Sequence, residues 1–128
     1  MQLTPTYSIS RNEFAIKSKN KFWNDNEKAE LIKNVCANLI NIEPEILAAK
    51  TRKREIVEAR QIAMTLTKLN TGLTLKNIGL RYGGRDHSTV IHALQTVHDL
   101  VETDKGFKQK VKHFQQSIQM YCRLQNKF

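Results

Sequence analysis

Four consecutive short polar residues, Asp86, His87, Ser88 and Thr89, are the part of the sequence best suited to specific chemistry. A carboxylate can accept a hydrogen bond from an exocyclic amine of cytosine or adenine, and an imidazole N–H can donate to a purine nitrogen or a thymine oxygen. Both hydroxyls can donate or accept, and the threonine methyl can touch a thymine methyl. The simpler interpretation of Asp86 is a helix cap, and one carboxylate can serve both purposes.

The residues around this run predict a helix, a tight turn and a longer helix. Thr74 can cap a short first helix, and Gly83-Gly84 supplies a turn because glycine adopts positive φ without a steric penalty. Asp86 can then cap a helix that continues to about Glu102. In a helix-turn-helix of this order, the second helix lies in the major groove and its first residues meet the base edges.

Helical periodicity extends through the rest of the chain. Asn24 with Glu27 is a capping-box pattern that predicts the start of the first long helix, and Pro44 fits the first turn of a short helix to Ala49. Further helices are expected from about Glu55 to residue 70 and after residue 106. No segment of comparable length alternates with period two, so the sequence predicts an all-α fold: a helical bundle that contains a helix-turn-helix.

The length of 128 residues suits one domain, which we expect over 23–112, with a loosely ordered arm at 1–22 and a helical extension at 113–128. No apolar run reaches the ~18 residues of a membrane span, and the N-terminus has no apolar signal-peptide core. Cys36 and Cys122 lie far apart and are expected to be reduced thiols. We expect a cytoplasmic, nucleoid-associated protein without membrane contact.

The charge predicts an anionic partner. Twenty-one Lys and Arg residues face twelve Asp and Glu residues, which gives a net charge of +9 and favours nucleic acid, anionic lipid or an acidic protein. The densest cluster is KTRKR at 50–54. Alone, this cluster is best explained as solvated charge, but beside a helix-turn-helix it favours DNA. RNA is less favoured because the sequence offers few aromatic residues to stack on unpaired bases.

Other classes of function have weaker support in the sequence. His87 and His92 lie five residues apart without a zinc-type ligand set, so no metal site is expected. No nucleophile–base arrangement and no G-x-x-x-x-G-K-[ST] loop is present, so we expect no catalytic residues, no cofactor and no nucleotide. The strongest rival is an interaction module. The last helix has an apolar seam that either dimerises or packs on the chain's own first long helix around Trp23, Ile32 and Leu39; the seam consists of Phe107, Val111, Phe114, Ile118 and Tyr121.

Two segments, RKREIVEARQIAMTLTK and LTLKNIGLRYGGRDHSTVIHA, resemble the C-terminal DNA-binding domain of the DnaA family of bacterial replication initiators. The likeness covers roughly residues 40–112, and GGRDHSTVIHA is similar to the family's signature. It implies a Trp-repressor-like all-α domain with a helix-turn-helix that binds a short asymmetric DnaA box in double-stranded DNA.

The resemblance also implies a role for individual residues. Asp86, His87 and Ser88 match base-contacting positions in the major groove, although threonine is more usual at Ser88, and Thr89 matches a contact with a thymine methyl or the backbone. The minor-groove arginine is Arg52, within a basic loop that also contains Lys50, Lys53 and Arg54. Seven residues are assigned to the DNA backbone: Arg60, Gln61, Lys68, Leu75, Lys76 (where proline is common), Arg85 and His92.

The expected function is sequence-specific binding of DnaA-box-like duplexes, with a role in initiation or regulation of replication or of transcription, without an ATPase module. A second copy of the chain and a full-length initiator are the protein partners considered. The alternative is a helical interaction or dimerisation module of a replication complex with only non-specific affinity for DNA.

Overall fold

The computed structural model describes residues 11–17 and 23–125, and all the regular elements within them are α-helices. The described ranges contain seven helices: α1 (Arg11–Phe14), α2 (Asp25–Leu39), α3 (Pro44–Leu47), α4 (Arg54–Asn70), α5 (Leu75–Arg81), α6 (His87–Thr103) and α7 (Lys105–Gln125). The predicted all-α fold is confirmed. None of these helices is both long enough and apolar enough to cross a membrane.

Three helices begin with the side-chain caps that the sequence predicts. In the capping box of α2, the Glu27 N–H donates to Asn24 Oδ1 at 2.8 Å, and the Asn24 N–H donates to Glu27 Oε1 at 3.1 Å. Thr74 caps α5 by accepting from the N–H of Asn77, and Asp86 caps α6. These bonds satisfy N–H groups that have no partner within the helix itself.

The central helix is α4, which packs against each of the other six helices of the described ranges. Its six consecutive residues 62–67 are all buried, so no face of this segment meets solvent. Two of them, Thr65 and Thr67, are polar, and each hydroxyl donates to a carbonyl one turn earlier in the same helix. The hydrophobic core therefore surrounds α4, and the remaining helices are placed by their contact with it.

The apolar seam of α7 packs within the chain. Phe107, Val111, Phe114 and Ile118 are buried, and α7 contacts α2 and α6. The next buried position is Cys122; Tyr121, which the sequence analysis placed in the seam, is 39% exposed. The seam therefore packs against the chain's own helices, as the intramolecular alternative predicts. The inclusion of Tyr121 in the seam was wrong. The predicted boundary between residues 112 and 113 lies inside the continuous helix α7.

Part of the predicted N-terminal arm contacts α4 and α7. Phe14 is fully buried, and the Ile16 N–H donates to the side chain of Asn70 at 2.8 Å. Farther along, Gln115 Nε2 donates to the Ala15 carbonyl at 2.7 Å. Residues 11–17 of the arm are therefore packed against the domain, and residues 1–10 and 18–22 lie outside the described ranges.

Candidate nucleic-acid interface

The turn between α5 and α6 is built around glycine. Gly83 and Gly84 have φ values of 88° and 73°, a region that favours glycine. The Arg85 N–H donates to the Gly79 carbonyl at 2.9 Å. A Cβ on Gly79 would lie 2.0 Å from the Arg85 carbonyl oxygen, so only glycine permits this approach. The turn therefore holds α5 and α6 in a close, defined arrangement.

The first turn of α6 stands in solvent. Asp86 is its N-cap and accepts from the Thr89 N–H through Oδ1 at 2.9 Å. This backbone hydrogen bond is the main reason that the pKa of Asp86 is lowered, so its carboxylate is ionised at neutral pH. His87, Ser88 and Thr89 are exposed, whereas Val90 begins the face of α6 that packs on the core. All four predicted base-contacting residues thus lie together at one exposed helix end.

A basic loop connects α3 to α4. Its Lys53 N–H donates to the hydroxyl of Thr51 at 3.2 Å, which gives the loop a local turn. Glu58, one turn into α4, forms an ion pair with Lys110 of α7, so the negative charge of this carboxylate near the loop is paired with a positive one. The four basic residues that the sequence analysis assigned to the loop are all exposed; Lys50, Arg52 and Lys53 lie in it, whereas Arg54 is the first residue of α4.

The basic loop and the turn before α6 are joined directly. Arg85 Nη1 donates to the Ala48 carbonyl at 3.0 Å, and Nη2 donates to the Ala49 carbonyl at 3.1 Å. Arg85 also donates to the carbonyl of Tyr82 in its own turn. Lys50 follows Ala49 in the chain, and Asp86 follows Arg85. The two segments predicted to contact DNA therefore start from a shared hydrogen-bonded point.

A second arginine binds the same stretch of backbone. Arg60 is 5% exposed, and its Nε and Nη2 donate to the carbonyls of Leu47 and Ala49, each at 2.7 Å. Burial, together with the neighbouring charge of Arg85, lowers the pKa of Arg60 to about 10, which leaves it protonated at neutral pH. Both carbonyls lie at the C-terminal end of α3 or just beyond it, where they have no N–H partner within the helix. The helix α3 ends at Leu47, two residues before the predicted end.

These bonds differ from the role that the sequence analysis gave Arg60 and Arg85. Both were expected to contact phosphate, yet both guanidinium groups donate to carbonyls of their own chain. Among the other residues assigned to the DNA backbone, Lys68 donates to the Leu73 carbonyl at 3.3 Å. Lys76 and His92 are exposed, and Gln61 and Leu75 are half-buried. Contacts of these residues with DNA stay predictions.

Within residues 11–17 and 23–125, no group of three His, Cys, Asp or Glu side chains is arranged to hold a metal ion. The carbonyl acceptors of Arg60 and Arg85 are the part of this surface that the sequence analysis missed. A backbone carbonyl is present at every residue, so no sequence pattern marks the ones that a distant arginine will use.

Comparison with known proteins identifies the family. The family described as the bacterial DnaA protein helix-turn-helix matches residues 29–97. The chain belongs to this family. The match runs from α2 into α6 and includes the basic loop, the turn and the exposed end of α6. The helix-turn-helix is a DNA-binding motif, so the matched part of this DnaA-family chain is a DNA-binding domain.

Several curated relatives are chromosomal replication initiator proteins DnaA. The protein of Flavobacterium psychrophilum is 43% identical over 91 residues, a match that covers 71% of this chain and 19% of the relative. The protein of Chlorobaculum tepidum is 40% identical, with 71% and 18% covered, and that of Trichormus variabilis is 38% identical, with 73% and 20% covered. The match spans about a fifth of each relative.

Proposed function

We propose that this DnaA-family domain binds double-stranded DNA at DnaA-box-like sites, with α6 in the major groove and the basic loop in the adjacent minor groove. One observation carries the proposal: the exposed run Asp86–Thr89 and the exposed basic loop start from a shared set of hydrogen bonds through Arg85. Neighbouring grooves of a duplex present base edges and a narrow electronegative channel side by side. Two linked elements, one polar and one basic, suit that pair of surfaces.

In the major groove, each exposed side chain of the first turn has a hydrogen-bonding use. Asp86 accepts the Thr89 N–H through Oδ1, and we propose that its other oxygen accepts from a base amine. His87 donates to a purine nitrogen or thymine oxygen, and Ser88 can donate or accept. Thr89 adds a methyl contact to thymine or a backbone contact. A carboxylate in this position is favourable only opposite an amine, since phosphates repel it.

In the minor groove, Arg52 is proposed to insert its guanidinium, with Lys50, Lys53 and Arg54 beside it against phosphates. Arginine in a narrow minor groove detects A·T-rich shape and does not distinguish all four base pairs. The phosphate contacts orient the protein without adding sequence information. Further backbone contacts are proposed for the other residues that the sequence assigns to phosphate: Gln61, Lys68, Leu75, Lys76 and His92.

In the cell, we propose a role in initiation or regulation of DNA replication, or in transcription, at the nucleoid in the cytoplasm. The relatives are replication initiators, which supports the first of these. No G-x-x-x-x-G-K-[ST] sequence occurs in these 128 residues, and the DNA binding that we propose for them needs no bound nucleotide. Depletion of the protein should change the ratio of origin to terminus DNA, and an unchanged ratio would contradict a replication role.

Fluorescence anisotropy with a DnaA-box duplex and a scrambled duplex, at near-physiological salt, tests the specificity. We expect a preference for the box of about 10³-fold, the lower end of specific recognition. Equal affinity for the two duplexes would contradict the proposal and favour the interaction module with non-specific DNA affinity.

Two substitutions of Asp86 separate base contact from helix capping. Asp86→Ser keeps a capping oxygen but removes the carboxylate, and Asp86→Ala removes both. We expect both variants to lose roughly 5- to 150-fold in affinity for the box, the range for one specific base contact. The control is Asn24→Ala, which removes a cap of the same kind from α2. It should keep the preference. If Asp86→Ser binds as well as the unchanged protein, Asp86 is only a cap.

A further inference from the structure

We infer that Arg60 and Arg85 are positioning residues that fix the basic loop relative to α6 and thereby select the spacing between the two halves of the DNA site. The inference rests on the proposed function, because it concerns how the two DNA-contacting segments are held together. It assigns these arginines a role different from the phosphate contacts expected from the sequence.

The hydrogen bonds form a clamp on three consecutive carbonyls. Arg60 donates to Leu47 and Ala49, and Arg85 donates to Ala48 and Ala49, so the Ala49 carbonyl accepts from both guanidinium groups. Hydrogen bonds with an ionised partner are the stronger kind, and the planar guanidinium fixes the geometry of two bonds at once. The root of the basic loop (residues 47–49) is thus held by hydrogen bonds from α4 and from the turn before α6.

Backbone packing reinforces the clamp from the same side. A Cβ on Gly83 would lie 2.2 Å from the Ala48 carbonyl oxygen and 2.7 Å from Arg85 Nη1. The turn before α6 therefore touches the root of the loop without an intervening side chain. Lys50 directly follows Ala49, which accepts hydrogen bonds of the clamp, and Asp86 directly follows Arg85, which donates them. A displacement at the clamp is therefore passed on to both DNA-contacting segments.

Burial distinguishes these two arginines from those suited to phosphate. Arg60 is almost fully buried and Arg85 is half-buried, whereas Arg52 and Arg54 are exposed. Among the ion pairs recorded for the described ranges, none joins Arg60 or Arg85 to a carboxylate. Their recorded partners are carbonyls: Arg60 uses two of its five N–H donors within the protein, and Arg85 uses three.

The test compares three duplexes: a DnaA box, the same box with one base pair inserted between the minor-groove and major-groove parts, and a scrambled sequence. One inserted pair moves the two parts about 3.4 Å farther apart and rotates them by about 36°, since a turn has about 10 pairs. The unchanged protein should discriminate against the insertion by at least about tenfold, the effect of losing one of two linked contacts.

Two variants weaken the clamp in different ways. Arg85→Gln removes the charge and the bidentate fork, and Arg60→Lys keeps the charge but cannot bridge two carbonyls in the same geometry. For both, we expect the ratio of native to inserted affinity to fall at least about fivefold, while the slope of log K against log salt stays at its original value. The control is Arg123→Gln at the exposed end of α7, which should change neither quantity.

The outcomes distinguish a positioning role of these arginines from direct contact with phosphate. If Arg85→Gln lowers the salt slope by about 0.9 and leaves the spacing ratio unchanged, Arg85 contacts a phosphate and the inference is wrong. If the Arg60→Lys variant is folded and its ratio of native to inserted affinity is unchanged, Arg60 is not a positioning residue. If circular dichroism shows that this variant is unfolded, the ratio measured for Arg85→Gln decides whether the inference holds. Equal binding of all three duplexes by the unchanged protein shows failure of the proposed function itself, before any variant is considered.

Discussion

Gly79 is where α5 and the turn before α6 approach most closely, and an alanine there should disturb both stability and DNA binding. Its Cβ would lie 2.0 Å from the Arg85 carbonyl oxygen, whereas ordinary contact begins at 3.4 Å, so this carbonyl would have to move by about 1.4 Å. The same movement would strain the 2.9 Å hydrogen bond from the Arg85 N–H to the Gly79 carbonyl. Gly79→Ala should therefore displace the residue immediately before Asp86.

The size of the effect follows from two opposing contributions. Overpacking a well-packed interior costs about 1–3 kcal/mol, and we expect the upper end because the atom in the way belongs to the backbone. Replacing glycine by alanine inside a helix contributes about 1 kcal/mol in the stabilising direction. The free energy of unfolding should therefore fall by about 2 kcal/mol, and affinity for the DnaA box should fall because α6 is displaced.

Urea unfolding followed by circular dichroism measures the stability, and anisotropy measures the affinity. Gly106→Ala is the matched control: its Cβ would meet only the Asp104 side chain, at 3.3 Å, near the start of α7. That variant should change the free energy of unfolding by no more than about 1 kcal/mol, because only a side-chain oxygen has to move, and this oxygen also accepts the Phe107 N–H. If Gly79→Ala changes the stability as little as the control does and binds the box with full affinity, the close approach does not constrain the helix-turn-helix.

Three further predictions concern the loop, the cap and the N-terminal segment. Arg52→Ala should reduce the preference for the box and lower the salt slope by about 0.9 in an anisotropy salt series; an unchanged slope would place Arg52 away from DNA. The lowered pKa of Asp86 means that its contribution to stability is present above its unfolded pKa and lost as pH falls through its folded pKa. Acid titration should therefore show Asp86→Ser and the original protein converging in stability, and a constant difference would contradict this. Phe14→Ala should cost about 3–5 kcal/mol in urea unfolding because the side chain is fully buried, whereas the 56% exposed Met120→Ala should stay within about 0.5 kcal/mol; equal effects would show that Phe14 is not part of the core.

The helix starts and the exposed base-contacting run were predictable because their determinants are local. Asn24, Thr74 and Asp86 each cap a helix by accepting from an N–H three residues later, a relation visible in the sequence. Arg60 and Arg85 were not predictable in the same way. Their acceptors on residues 47–49 lie 11 to 37 residues earlier in the chain, and an arginine near a basic loop has the same sequence pattern whether it meets phosphate or carbonyl.

The ends of the domain show a second limit of periodicity. Spacings of three and four along α7 allow either Tyr121 or Cys122 to continue the apolar face, and the orientation of α7 against α2 places Cys122 inside. The helix α1 has 4 residues, too few for a periodic pattern. Phe14 was therefore indistinguishable in sequence from an aromatic residue in a loosely ordered arm.

The contact between the N-terminal segment and α7 has a consequence for synthesis on the ribosome. The Lys17 N–H donates to Gln119 Oε1 at 2.7 Å, and Gln119 Nε2 donates back to the Lys17 carbonyl at 2.6 Å, across 102 positions of sequence. At 5–20 residues per second, α7 is made about 5 to 20 seconds after this segment. During that interval the segment lacks its contacts with α7, so the first described part of the chain to be translated cannot complete its packing until α7 has been made.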